Sequence, residues 1–230
     1  MADKKIVQDQ DGGEKVIAQA KDFWARYSKP LMIVSTIIII AIGGWYAYQN
    51  FVVKPKEAKA AEAIFRAEEY YRMDSINLAL NGDGQNWGFL RVIDKYGGTK
   101  TGKLARFYAG SCYIKLNDNE NAVKQLEKFS TDSKPVQARA YKLLGDAYAD
   151  MGKNADALSN YKKAGRHFES DEANSAEYLF MAAYLADRVM KDTKEATALY
   201  KEVKKKFPKS NQAFEAENYL AQLGVYTIED

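Results

Sequence analysis

His167 is the chain's single histidine and Cys112 its single cysteine, and together they bound the chemistry the sequence can offer. An imidazole needs a second ligand to hold a metal, or a nucleophile to activate as a base. His167 falls near the end of a helical stretch, where an imidazole bonds the last free carbonyls. Cys112 lies between Gly110 and Tyr113 in a helical pattern, the place of a small buried packing residue. One cysteine also leaves no internal disulfide. The stretch GDGQNWG, residues 82–88, has glycines at the wrong spacing for a dinucleotide loop, and no strand precedes it. It lacks the acidic ladder of a calcium loop and reads as a helix–helix turn. KEVKKKFPK carries Lys201, Lys204, Lys205, Lys206 and Lys209. It is a solvated helix end favoured by the macrodipole, with contact to acidic lipid or an acidic partner as the other reading. No nucleophile–base set, phosphate loop or pair of acids in a defined context appears. The expectation is a protein that is not an enzyme, with no catalytic residues, no cofactor, no metal and no small-molecule substrate.

The elements around these residues are helical. Four prolines in 230 residues and abundant alanine favour helices, and no alternating strand pattern of useful length occurs. The 34 basic and 31 acidic residues leave a net charge of +3, too even a balance for nucleic acid as the main partner.

One segment breaks the polar character. Residues 31–48 contain no formal charge and six isoleucines. A helix of that length covers about 27 Å, close to a hydrocarbon core of roughly 30 Å. Trp24 and Tyr27 stand before it, and Trp45, Tyr46, Tyr48 and Phe51 at its far end, where amphipathic rings favour the membrane interface. A cleaved signal would have a short basic start, a shorter apolar run and a small-x-small exit. Here about 30 residues come first and bulky aromatics occupy the exit, so an uncleaved anchor is expected. Gly43 and Ala47 form a small-xxx-small pair that suits helix packing in a bilayer. Lys21, Arg26 and Lys29 on one side match Lys54, Lys56 and Lys59 on the other, so local charge does not set orientation. Long domains cross largely regardless of charge, which places the short tail in the cytoplasm and the large part outside. The expected layout is a tail over 1–30, an anchor over 31–50 in the lipid bilayer and a helical domain over 51–230.

That domain repeats. ARFYAGSCYIKLNDNENAVKQLEKF aligns with ARAYKLLGDAYADMGKNADALSNYKKA, so that Gly110 matches Gly145, Tyr113 matches Tyr148, Ala122 matches Ala157 and Leu126 matches Tyr161, each 35 residues apart. Glycine inside a helix costs about 1 kcal/mol against alanine, so two at one phase point to close helix crossings, with Ala122 and Ala157 as their small counterparts. Asn117 with Glu120, and Asp192 with Glu195, have capping-box spacing. Each unit reads as helix, short turn, helix. The first helix of an earlier unit is expected from Lys56 to about Leu80, its second within FLRVIDKYGG, and a last helix from Gln212 to Leu223 caps the stack, since an end repeat cannot leave its apolar side open.

The spacing resembles the tetratricopeptide repeat, with Tyr141, Leu144, Gly145, Tyr148, Ala157, Tyr161 and Ala164 in the pattern's positions and Ala196, Tyr200, Val203 and Pro208 closing a third unit. The third unit departs from it: alanine replaces the glycine, and Ala157 to Ala196 spans 39 residues. The fold expected is all-α, a transmembrane helix followed by an α-solenoid of tetratricopeptide-like repeats. The layout of tail, anchor and repeats is similar to the YfgM family of bacterial inner-membrane proteins. That resemblance implies periplasmic repeats and an ancillary role at the Sec translocon beside a periplasmic chaperone. A structural scaffold for another envelope assembly or a cell-division complex is the alternative. An outer-membrane lipoprotein is disfavoured because no cysteine follows the apolar run.

In such a stack the first helices line the concave side. In the 35-residue register Phe107, Ser111, Arg139, Lys142 and Asp146 project into the groove, joined by Tyr178 and Met181 if Phe180 takes the aromatic position of the third unit. These residues suit an extended or helical peptide; for Phe107, Tyr178 and Met181 the competing reading is plain core.

Overall fold

The computed structural model describes residues 10–225. Residues 1–9 of the tail and 226–230 of the last domain lie outside the described residues. The chain divides into two compact units, with the boundary after Pro55.

The first unit is built on helix α1, Gln10–Tyr48, which is closed by a π-helical turn, Gln49–Val53. From Leu31 to Tyr48 every residue is exposed. The two aliphatic hydroxyls in this apolar run are satisfied within the helix. Ser35 and Thr36 both donate to the carbonyl of Met32, at 2.9 and 2.8 Å, as polar side chains must when no water is at hand. Pro30, which cannot donate to the ladder, stands just before the run. The helix is long and apolar enough to cross a membrane.

The second unit is an all-α solenoid. Its helices are α2 (Lys54–Arg72), α3 (Ile76–Asn81), α4 (Phe89–Tyr96), α5 (Lys100–Lys115), α6 (Asn119–Leu126), α7 (Lys134–Asp150), α8 (Asn154–His167), α9 (Glu172–Tyr184), α10 (Thr193–Lys206) and α11 (Asn211–Gln222), with a π-helical turn at Leu185–Val189. From α3 onward each helix packs on the next. Among the described residues there is no strand, only an isolated bridge between Gly82 and Trp87. Alanines and single large side chains fill the interior: Ile64, Ala67, Phe89 and Cys112 at one end, Phe107, Leu126 and Leu144 in the middle, Leu179, Leu199 and Tyr200 at the other.

The repeat positions carry the packing. A Cβ on Gly110 would lie 2.5 Å from Cγ of Leu126, and one on Gly145 2.5 Å from the ring of Tyr161, so only glycine lets these helices cross at that distance. Ala122, Ala157 and Ala196 are fully buried on the second helices. Tyr113 and Tyr148 are half-buried beside them. Pro208 follows the end of α10, where a helix cannot continue through it.

Three expectations need correction. The helix expected from Lys56 to about Leu80 ends at Arg72. Asp74 turns left-handed, with φ 54°, a conformation Asp tolerates better than most residues. The N–H groups of Asp74 and Ser75 close the helix on the carbonyls of Tyr71 and Tyr70, the pattern of a Schellman end. Asn117 does not cap α6. It is the left-handed residue that ends α5 (φ 58°), and the cap is its neighbour Asp118, which accepts from the N–H of Asn121. Asp192 does cap α10, accepting from the N–H of Glu195.

The third correction concerns register. Asn117, Gly152 and Lys191 are the left-handed residues that precede α6, α8 and α10. The N–H groups after the first two reach back five residues, to Tyr113 and Tyr148, but that of Asp192 reaches back six, to Ala186. The π-helical turn Leu185–Val189 absorbs that extra residue, and the rest of the longer step lies before Asp171, the cap of α9. Ala183, fully buried, therefore takes the place of Gly145. Leu179, not Phe180, takes the place of Tyr141.

Candidate protein-binding cleft

The first helices of the repeats, α5, α7 and α9, together with Tyr71 near the end of α2, enclose a cleft of about 630 Å³. Helical periodicity explains its lining. Leu104, Phe107 and Tyr108 on α5, Pro135, Arg139 and Lys142 on α7, and Asn174, Glu177 and Tyr178 on α9 recur every three or four residues, one stripe per helix.

Four residues anticipated for the groove meet there: Phe107, Arg139, Lys142 and Tyr178. Phe107 and Tyr178 are largely buried and belong at once to the core and to the cleft wall. Three others are held elsewhere. Ser111, one turn along from Phe107, shares a 2.7 Å hydrogen bond with the hydroxyl of Tyr71. Asp146 accepts from Lys142 at 2.8 Å and from the hydroxyl of Tyr161 at 2.9 Å, tying α7 to α8. Met181 packs beside Ala138, Ala164 and Tyr178, a consequence of the shifted register of α9.

The charges divide into spent and available. Lys142 is neutralised by Asp146. Asp171 accepts from the backbone N–H and the side-chain amide of Asn174, capping α9. Arg139 and Glu177 are exposed and have no ion pair among the described residues. Arg139 acts on both aromatic walls. Burial raises the pKa of Tyr178, the Glu177 carboxylate adds to this, and Arg139 opposes it. Burial likewise raises that of Tyr108, Glu68 adds to it, and Arg72 and Arg139 oppose it. The cleft thus offers aromatic surface, one unneutralised cation on α7 and, at α9, two carboxylates without an ion pair among the described residues, Glu177 and the capping Asp171.

Tyr71, Leu104, Tyr108 and Glu177 were not anticipated. Leu104 and Tyr108 share the helical stripe of Phe107, a signal present in the sequence. Tyr71 lies in the last turn of α2, outside the segments that align in the 35-residue repeat, and Glu177 reaches the cleft through the register set by the π-helical turn.

The other singled-out residues are packing or surface. His167 is exposed at the end of α8 with its ring edge-on to Tyr141, centroids 5.4 Å apart. Cys112 is fully buried, and burial pushes its thiol up to about 12. The 82–88 loop is a tight turn held by Asp83, which accepts from the N–H groups of Gln85 and Asn86 and from the hydroxyl of Tyr70. In the lysine-rich stretch, Lys204 pairs with Glu217 and Lys206 with Glu169 and Glu202. Among the described residues no group of three His, Cys, Asp or Glu side chains could hold a metal ion.

This helix-turn-helix stack agrees with the comparisons to known proteins. The tetratricopeptide repeat-like domain family model matches residues 21–140, a stretch that includes the apolar run over 31–48, and the tetratricopeptide repeat model matches residues 177–210. No curated protein matches the chain. Repeats of this kind are protein-interaction modules, and with more than half its length matched by the first model the chain belongs to the tetratricopeptide repeat-like domain family.

Proposed function

We propose that this chain is a non-enzymatic, membrane-anchored scaffold whose cleft holds a segment of a partner protein. The observation that carries the reading is the cleft itself, where aromatic walls from Phe107, Tyr108 and Tyr178 surround a guanidinium that the described residues leave unneutralised. Grooves that combine aromatic anchors with a few charges suit peptides. The apolar exposed helix supports membrane anchoring. The inner membrane as its place, with residues 56–230 in the periplasm, is part of this proposal and rests on the resemblance and on the tendency of long domains to cross. The layout of tail, anchor and repeats supports an accessory role at the Sec translocon, beside a periplasmic chaperone.

Extraction in mild detergent and purification through a tag on the chain tests this. Recovery of the Sec channel or a chaperone is the expected result. Recovery of a different stoichiometric machine moves the reading to a structural scaffold for another envelope assembly or a cell-division complex. Protease added to spheroplasts checks the orientation: the C-terminal domain is digested if it is periplasmic and protected if it is not.

A further inference from the structure

The cleft carries a charge order, and that order specifies its ligand. Its apolar end is formed on α5 by Leu104, Phe107 and Tyr108, its unpaired cation is Arg139 on α7, and its unpaired anion is Glu177 on α9. Lys142 adds little, since it is bound to Asp146, and Asp171, which caps α9 with no ion pair among the described residues, adds negative charge on the same side as Glu177. A segment lying across the three helices meets apolar surface, then positive charge, then negative charge. Of these helices α5 packs directly on α7, and the order met along the segment is the order of the helices.

We infer that the cleft selects an extended segment of a partner protein in which a large apolar residue, an acidic residue and a basic residue follow one another in that order. This rests on the reading of the cleft as a binding face. The apolar residue sits against Phe107 and Tyr108, the acid faces Arg139 and the base faces Glu177. Complementary charge fixes register, and like charges placed opposite each other reject the wrong order. Neither charge has to break an internal ion pair before it binds.

Two fluorescent nine-residue peptides of one composition test this on the full chain in detergent. In the first, phenylalanine, aspartate and lysine follow one another in that order. In the second, aspartate and lysine are exchanged. Each is also made in the reverse chain direction, because the cleft fixes an order rather than a polarity. The wild-type chain is expected to bind the better member of the first set about tenfold more tightly than either exchanged peptide. The double variant Arg139→Glu, Glu177→Arg is expected to reverse that preference. Reversal separates charge order from damage to the fold, because a misfolded cleft loses both peptides. Equal binding of both orders by the wild type, no binding of either, or a double variant that keeps the wild-type preference or loses both peptides overturns the inference. If a partner protein is still recovered with the wild-type chain in those cases, the scaffold reading stands without it. If none is recovered, that reading falls as well.

Discussion

The backbone of Gly145 on α7 lies so close to the ring of Tyr161 on α8 that a Cβ would sit 2.5 Å from both Cδ1 and Cε1. The ring has little room to give way. Tyr161 is buried, and its hydroxyl is held by Asp146 at 2.9 Å. Gly145→Leu is therefore expected to destabilise the domain by about 1–3 kcal/mol. In the fragment 56–230 that lowers Tm by roughly 2–4 °C per kcal/mol. Calorimetry checks it, and an unchanged Tm would show that the two helices do not cross here.

That crossing was legible in the sequence because it is written twice at one spacing. The same holds for Gly110 with Leu126 and for the buried alanines. The third repeat was less legible because a π-helical turn is an insertion inside a helix, and no turn residue marks it. Its net effect was visible as the 39-residue step from Ala157 to Ala196, but the step did not say where the extra residues lie. Gly165 was also missed as a contact glycine, although a Cβ there would lie 2.5 Å from Cγ of Leu179. Its partner depends on the register of α9. The break after Arg72 was hidden because alanine and glutamate favour helix on both sides, and the left-handed Asp74 resembles any surface aspartate. In the cleft, the stripe from α5 could be read from periodicity. Which charges stay available could not, because that depends on Lys142 meeting Asp146 and on Asp171 capping α9.

Asp83 governs the 82–88 turn, and the turn should be sensitive to acid. The backbone N–H of Asn86 is the largest influence holding its carboxyl far below the ordinary value of 3.8; the side-chain amide of Asn86 and the hydroxyl of Tyr70 come next, desolvation opposes them, and the N–H of Gln85 adds the least. A depressed folded value means the stabilisation is complete above the ordinary aspartate range and is lost as pH falls through the lowered one. Asp83→Asn is therefore expected to lower Tm at pH 7. The gap between variant and wild type should close as the pH is taken from about 4 downward. A gap of constant size down to acid pH would show that ionisation of Asp83 does not hold the turn.

Cys112 should be inert while the domain is folded. It is fully buried, and desolvation pushes its thiol up to about 12, with only slight opposition from Lys115. At pH 8 about one thiol in ten thousand is then ionised, and the thiolate is the reactive form. Iodoacetamide is expected to leave the native protein unmodified over an hour and to alkylate it fully in concentrated urea. Mass spectrometry reads both results. Rapid alkylation of the native chain would mean that α5 opens, or is not covered by Ile64 and Ala67 of α2.

The cleft itself is tested by alanine at Arg139 and Lys142. Arg139→Ala removes no ion pair among the described residues, and its side chain is exposed. Lys142→Ala breaks one intrahelical pair with Asp146, the kind worth about 0.3–0.5 kcal/mol. Asp146 keeps its bond to Tyr161, so α7 stays fastened to α8. The double variant is expected to unfold within about 1 kcal/mol of the wild type and to lose the partner recovered with it in detergent. Thermal melts and parallel pull-downs measure the two effects separately. A variant that melts normally and still retains its partner would move the recognition surface out of the cleft, with the apolar face of α1 as the next place to look.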